Sequence, residues 1–216
     1  MMSRPQPAYE KSVFINCPFD ADFRDLLLAL VFSVAAHGFL PRSARETEGT
    51  AEPRISRILQ TLAASKYSIH DLSRFSGEGP DNLARFNMPL ELGLFLGAQR
   101  FGSGKQKRKS CLILDCEPFR YQKFISDIAG QDISSHDGNV VKLIGKVRDW
   151  LGTATGGKPL PGGAKIAERF TQFSAELPVI ASAFHVNEGE LTFKNYAYLA
   201  SEWLRARLPT AGDPLA

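Results

Sequence analysis

Ser12-Val13-Phe14-Ile15-Asn16-Cys17-Pro18-Phe19-Asp20 is the stretch on which the fold turns. The apolar run from Ser12 to Cys17 is closed by Pro18, is too short for a helix, and carries the Val, Phe and Ile of a buried strand. Asp20 then suits a helix cap. The residues after it place Phe23, Leu26, Leu27, Leu30, Val31 and Val34 at helical spacing, until Gly38 stops the pattern.

Reading outward, Phe39 to Arg45 predicts a second strand, and Glu52-Pro53 opens a second helix with Ile55, Ile58, Leu59 and Leu62 on one face. Tyr67 to Leu72 predicts a third strand, 73–86 a polar loop, 87–101 a third helix that is apolar all round, and Cys111 to Asp115 a fourth strand. Each parallel crossover needs a helix, so this alternation implies a mostly parallel sheet flanked by helices, an α/β architecture of the flavodoxin-like, Rossmannoid kind.

Beyond Cys116 the pattern weakens. A helix is expected over 117–128 and a better one over 139–151, followed by a Gly-, Pro- and Thr-rich linker over 152–163. Two helical segments, 164–177 and 192–208, flank a turn containing Asn187 and Gly189. The expected division is an α/β domain over 12–151 and a C-terminal helical extension over 164–208, which either packs on the sheet or mediates association.

With 216 residues, 44% of them hydrophobic, the chain suffices for one sizeable core. Its 26 basic and 23 acidic residues leave +3, far from the excess of a dedicated nucleic-acid binder. The run Lys105-Gln106-Lys107-Arg108-Lys109 reads as a solvated loop or as a phosphate-contacting patch. Cys17, Cys111 and Cys116 lack metal-ligand spacing and are expected to be buried reduced thiols, with no metal bound. The polar segment Met1 to Lys11 lacks the apolar stretch of a signal peptide and nothing later is long enough to span a membrane, so a soluble, cytoplasmic protein is expected.

In an open parallel sheet, ligands bind beyond the carboxyl ends of the strands, here called the ligand edge. The residues expected there are Asn16, Pro18 and Phe19 after the first strand, Arg42 and Arg45 after the second, and Asp71, Ser73 and Arg74 after the third. Asn87 and Met88 open the third helix. Arg42 and Arg45 are either surface charges or a clamp for phosphate or carboxylate. Asp71 either holds a sugar hydroxyl or caps the following loop, and His70 reads as a structural histidine.

Glu91 differs from all of these because its neighbours in Met88-Pro89-Leu90-Glu91-Leu92-Gly93-Leu94-Phe95-Leu96-Gly97 are apolar or glycine. A carboxylate there needs an opening or partners. Desolvation would raise its pKa and the helix N-terminus would lower it. Gly93 and Gly97 would admit a close approach by another element or a ligand.

His70-Asp71-Leu72-Ser73, followed after a loop by Asn87-Met88-Pro89-Leu90-Glu91-Leu92-Gly93, resembles the "DLS, then N-x-x-x-ELG" signature of TIR-like and nucleoside 2-deoxyribosyltransferase-like bacterial proteins. Phe14-Ile15-Asn16-Cys17-Pro18-Phe19 is similar to their first strand and loop, and the resemblance spans about 12–116. It implies that Glu91 is the catalytic carboxylate of an N-glycosidic-bond-cleaving enzyme. The activity implied is NADase-like or deoxyribosyltransferase-like, on NAD or a related nucleotide or nucleoside. Asp71 would bind the sugar or orient the leaving group, and Asn87 would shape the pocket. No separate cofactor is implied. A bacterial-immunity setting follows from the same resemblance, with a homo-oligomer or a defence-system partner. The alternative is a non-catalytic nucleotide-binding signalling module.

Overall fold

The computed structural model describes residues 9–47, 52–74, 86–157 and 160–207. Parts of the expected 73–86 loop and 152–163 linker, the segment before residue 9, and Leu208 lie outside them. Five strands, β1 (Ser12–Asn16), β2 (Leu40–Arg42), β3 (Tyr67–Asp71), β4 (Ser110–Asp115) and β5 (Ile133–Ser135), form one parallel sheet. Their order is β2-β1-β3-β4-β5, the flavodoxin-like order, in which the chain reverses direction across the sheet between β1 and β3.

Side chains alternate across the sheet as the strand period requires. Val13, Ile15, Tyr67, Ile69, Leu112 and Leu114 join the core on one face, and Phe14 and Ile113 join cores on the other. The first face is covered by α1 (Arg24–Ala36) and α4 (Val140–Ala154), the second by α2 (Arg54–Ala63) and α3 (Asn87–Phe101). Asp20 accepts from the Phe23 amide at 3.0 Å and caps a 3-10 turn that leads into α1, while Gly38, at φ 75°, ends that helix as only glycine does without strain.

Several expected boundaries move. No α-helix forms over 117–128, where 3-10 turns at Arg120–Lys123 and Ser126–Ile128 lay Phe124, Ile125 and Ile128 against Leu72 and Leu92. These apolar residues cover the sheet without a full amphipathic turn, so one short layer replaces the crossover helix. β5 lay unrecognised in the sequence because its three residues are mostly serine. The second strand is only Leu40–Arg42, and in α2 just Ile58 and Leu62 are buried, leaving Ile55 and Leu59 exposed.

The linker is shorter than expected, because α4 runs to Ala154 and α5 (Gly163–Ala183) starts at Gly163. α5 continues past Pro178, whose missing N–H removes one rung of the helix. α5 and α6 (Phe193–Arg207) pack on α1, and the core of the α1 face continues into them through Ile166, Phe173, Leu177, Tyr196 and Trp203. Phe173 stacks on Phe32 of α1 at 5.4 Å between ring centres.

Lys109 of the basic run is buried. Its ammonium donates to the Leu62 carbonyl at 2.7 Å and to the Ser65 carbonyl, closing the end of α2, and it lies over the Phe95 ring. Lys105, Lys107 and Arg108 are exposed. Among the described residues, no helix is long and apolar enough to cross a membrane.

Candidate functional site

Helix α3 buries Met88, Glu91, Leu92 and Phe95, the i, i+3, i+4, i+7 stripe that faces the sheet. Glu91 therefore takes a core-facing position one turn from the helix start, where the sheet ends and the stripe opens into a cleft. That cleft, of about 400 Å³, is lined by Asn16, Cys17, Pro18, Phe19, Asp20, Arg45, Arg54, Arg74, Asn87, Met88 and Glu91. It sits at the β1/β3 reversal point, the place where open α/β sheets take ligands.

Glu91 is 5% exposed, and its carboxylate has no hydrogen-bond or ion-pair partner among the described residues. Burial pushes its pKa from 4.5 up to about 7, against a smaller opposing pull from Arg54. Of the two effects weighed from sequence, desolvation wins, because the carboxylate has left water without gaining a donor. A carboxyl poised near neutrality inside a cleft is a recurring mark of functional sites.

Three arginines line the same cleft. Arg74 forks onto Asp20 at 2.8 and 3.1 Å and reaches Asp22 at 3.3 Å, holding the Asp20 carboxyl below its usual range. Arg45 lies over the Phe19 ring at 4.7 Å. Arg54 is exposed at the first turn of α2. The rim is thus suited to an anion, with Asp20 already engaged by Arg74.

Asn16 fixes this geometry. Its amide nitrogen bonds His70 Nδ1 at 2.9 Å and the Met88 carbonyl at 2.9 Å, tying β1, β3 and the start of α3 together. Nδ1 accepts, so His70 carries its proton on Nε2 and faces Ser68 Oγ at 2.7 Å. Burial, with Lys109 adding to it, lowers the His70 pKa to about 3, so the ring stays neutral and the brace is insensitive to physiological pH. Replacing Asn16 by alanine strands the buried His70 Nδ1 and removes the tie to the Met88 carbonyl. The expected cost is about 1–3 kcal/mol of stability, read as a lower denaturant midpoint at constant m-value; an unchanged midpoint would refute the brace.

Asp71 and Ser73 do not line the cleft. Asp71 is fully buried, accepting from the Ser73 amide at 2.9 Å and facing His136 Nε2 at 3.0 Å. Ser73 Oγ also approaches Nε2, at 3.1 Å, while Nδ1 accepts from the Gly138 amide at 3.0 Å. A nucleophile–base–acid relay requires its two partners on opposite ring nitrogens, so these residues brace the loops after β3 and β5 instead. Nearby, Arg120 pairs with Asp115 and donates to the Ser73 carbonyl at 2.8 Å.

Arg42 is likewise outside the cleft. Its Nε donates to both Glu46 oxygens at 2.9 Å, and Glu46 also accepts from the Ser43 amide. A Cβ placed on Gly93 or Gly97 would meet nothing within 4 Å, so among the described residues no element makes the close approach expected there. Cys17 is buried with its thiol pKa pushed well up, whereas Cys111 and Cys116 are only partly buried. Among the described residues, no group of three or more His, Cys, Asp or Glu side chains is placed to hold a metal ion.

Sequence reasoning missed Arg54. The signal existed, since every helix that follows a parallel strand begins at the ligand edge and Arg54 is the first residue of α2. No family model matches the chain, and comparisons with curated proteins and with solved structures give no match either.

Proposed function

We propose that the protein cleaves the N-glycosidic bond of NAD or a related nucleotide or nucleoside, with Glu91 as the catalytic carboxylate. The carrying observation is that Glu91 is buried, has no donor among the described residues, and opens onto a cleft rimmed by Arg45, Arg54 and Arg74. The resemblance of 12–116 to TIR-like and nucleoside 2-deoxyribosyltransferase-like proteins supports the same reading. A bacterial-immunity role belongs to this proposal as well.

The chemistry follows from charge. As the C1′–N bond breaks, its electron pair leaves with the base and positive charge builds on the sugar ring; an ionised carboxylate beside C1′ stabilises or traps that cation, and water completes hydrolysis. Arg45 and Arg54 would hold the phosphate and fix the sugar over Glu91. The cleft's other titratable groups are poor acids at neutral pH, since Cys17 is shifted well up and Asp20 is held ionised by Arg74. A leaving group that departs without a proton, such as a pyridinium base, therefore fits best.

Incubating the protein with NAD and with nucleosides, alone and with candidate activators, tests this through release of free base; no release from any of them would remove the enzymatic reading. Ionised Glu91 makes the rate rise as pH climbs through about 7. Since Arg54 lowers the Glu91 pKa, Arg54→Gln should move that acid limb upward. A shift of roughly 0.2–0.7 pH unit is expected, from the 0.2–1 kcal/mol typical of exposed charge pairs.

One observation favours a second reading. Asp71 lies outside the cleft, and the carboxylate that shares the cleft with Glu91, Asp20, is engaged by Arg74; an arginine-rimmed pocket of this kind also suits a nucleotide-binding signalling module. Calorimetric binding of nucleotide without base release would select that reading.

A further inference from the structure

The C-terminal extension forms a wall beside the Glu91 cleft. A 3-10 turn, Glu188–Glu190, and the start of α6 face the first turns of α1 across a second cavity of about 190 Å³. Its walls combine apolar side chains, Leu27, Val31, Leu191, Phe193 and Tyr196, with polar ones, among them Arg24, Glu188 and Thr192. The two cavities share Phe19, Asp20 and Arg45, so the Arg45–Phe19 pair stands as the partition between them.

The far wall is held in place. The Tyr196 hydroxyl donates to the Leu28 carbonyl at 3.1 Å, and the Tyr196 ring packs edge-on against Phe173 at 5.6 Å. Arg24 of α1 bonds Glu188 at 3.0 Å, and Asn187 and Glu190 close the turn with a reciprocal cap. The two carboxylates that border the cavity are each engaged by an arginine, Asp20 by Arg74 and Glu188 by Arg24. Among the described residues, an anionic group passing Arg45 therefore meets no unpaired carboxylate of the cavity wall.

The geometry points to a subsite in this second cavity for a second flat, heteroaromatic group of the same ligand, joined to the Glu91 half through a phosphate-bearing linker that passes Arg45. The substrate class is then a dinucleotide rather than a nucleoside, and the C-terminal extension is part of the binding site. This rests on the reading of the Glu91 cleft as a nucleotide site. The apolar side chains supply burial for a ring's faces and the polar ones partners for its edge, while the shared arginine supplies the contact for the linker.

The test uses full-length protein carrying Glu91→Gln, which prevents turnover, titrated calorimetrically with NAD and with nicotinamide mononucleotide. Gly189 lines the second cavity, and a Cβ there meets nothing within 4 Å, so Gly189→Trp can fill the cavity from a turn outside the core. Leu27→Trp fills it from the opposite wall. NAD should bind the parent more tightly than the mononucleotide, and either tryptophan should lower that affinity ratio at least about tenfold. Thermal melts check that each variant is folded. Equal affinities in the parent, or a ratio unmoved by both tryptophans, overturns the subsite and leaves the Glu91 cleft standing. If neither ligand binds the parent, the subsite and the nucleotide reading fall together.

Discussion

Glu91→Gln is expected to reduce base release by roughly a thousandfold or more while making the protein more stable above neutral pH. The loss follows from removing the unpaired carboxylate placed to offset developing positive charge, at a scale typical of a positioned catalytic carboxylate. The gain follows from linkage. Burial raises the Glu91 pKa from 4.5 to about 7, so between those values the native state keeps a proton that the unfolded chain has released. Stability therefore falls as pH rises through this window, and the penalty is complete above about pH 7.

The full step corresponds to about 3 kcal/mol. Glutamine also gives up some contact with water, so the net gain expected at pH 8 is about 1–3 kcal/mol, or roughly 2–4 °C in Tm for each kcal/mol in a chain of this size. At pH 4 the variant and the parent should melt together. Paired melting curves at pH 4 and pH 8, run beside the base-release assay, read both effects. A glutamate in bulk solvent would show neither; lost activity with no pH-dependent gain would contradict the burial argument and leave the catalytic one.

Phe173→Ala should cost about 3–5 kcal/mol and lower the denaturant midpoint of the whole chain in one transition. Phe173 is fully buried between helices of both parts of the sequence. It stacks on Phe32 of α1 at 5.4 Å and meets Tyr196 and Trp203 of α6 at 5.6 and 5.5 Å. Removing the ring opens a void whose neighbours are themselves large aromatics locked by packing, so little collapse can offset it. Because these residues share a core with β1, β3 and β4, the extension should not unfold separately. A loss under about 1 kcal/mol, or a separate early transition of α5 and α6, would mean that the extension is an independent lobe.

Much of the fold was legible because its signal is local. Val13, Phe14 and Ile15 form a strand buried on both faces, which needs an unbroken apolar run, and α1 and α4 carry periodic apolar faces between recognisable caps and stops. The short, serine-rich β5 and the 3-10 segment before it carried no such signal: three residues at a sheet edge are stabilised by the neighbouring strand and the loops around them, not by their own pattern.

The candidate site divides along the same line. The sequence by itself determined that Glu91 is a lone carboxylate in an apolar helix start beside the ligand edge, because the composition of one helix turn and the order of strands suffice for that. Tertiary structure alone decided the partners. It engaged Asp71 with His136, 65 residues away, and Arg42 with Glu46, while adding Arg54 to the rim and bringing Glu188 and Phe193 beside Phe19. A hydrogen bond or a shared cavity depends on which loops the sheet order brings together across the folded core. A carboxylate's environment, and so its chemistry, becomes fixed only when those distant segments have met.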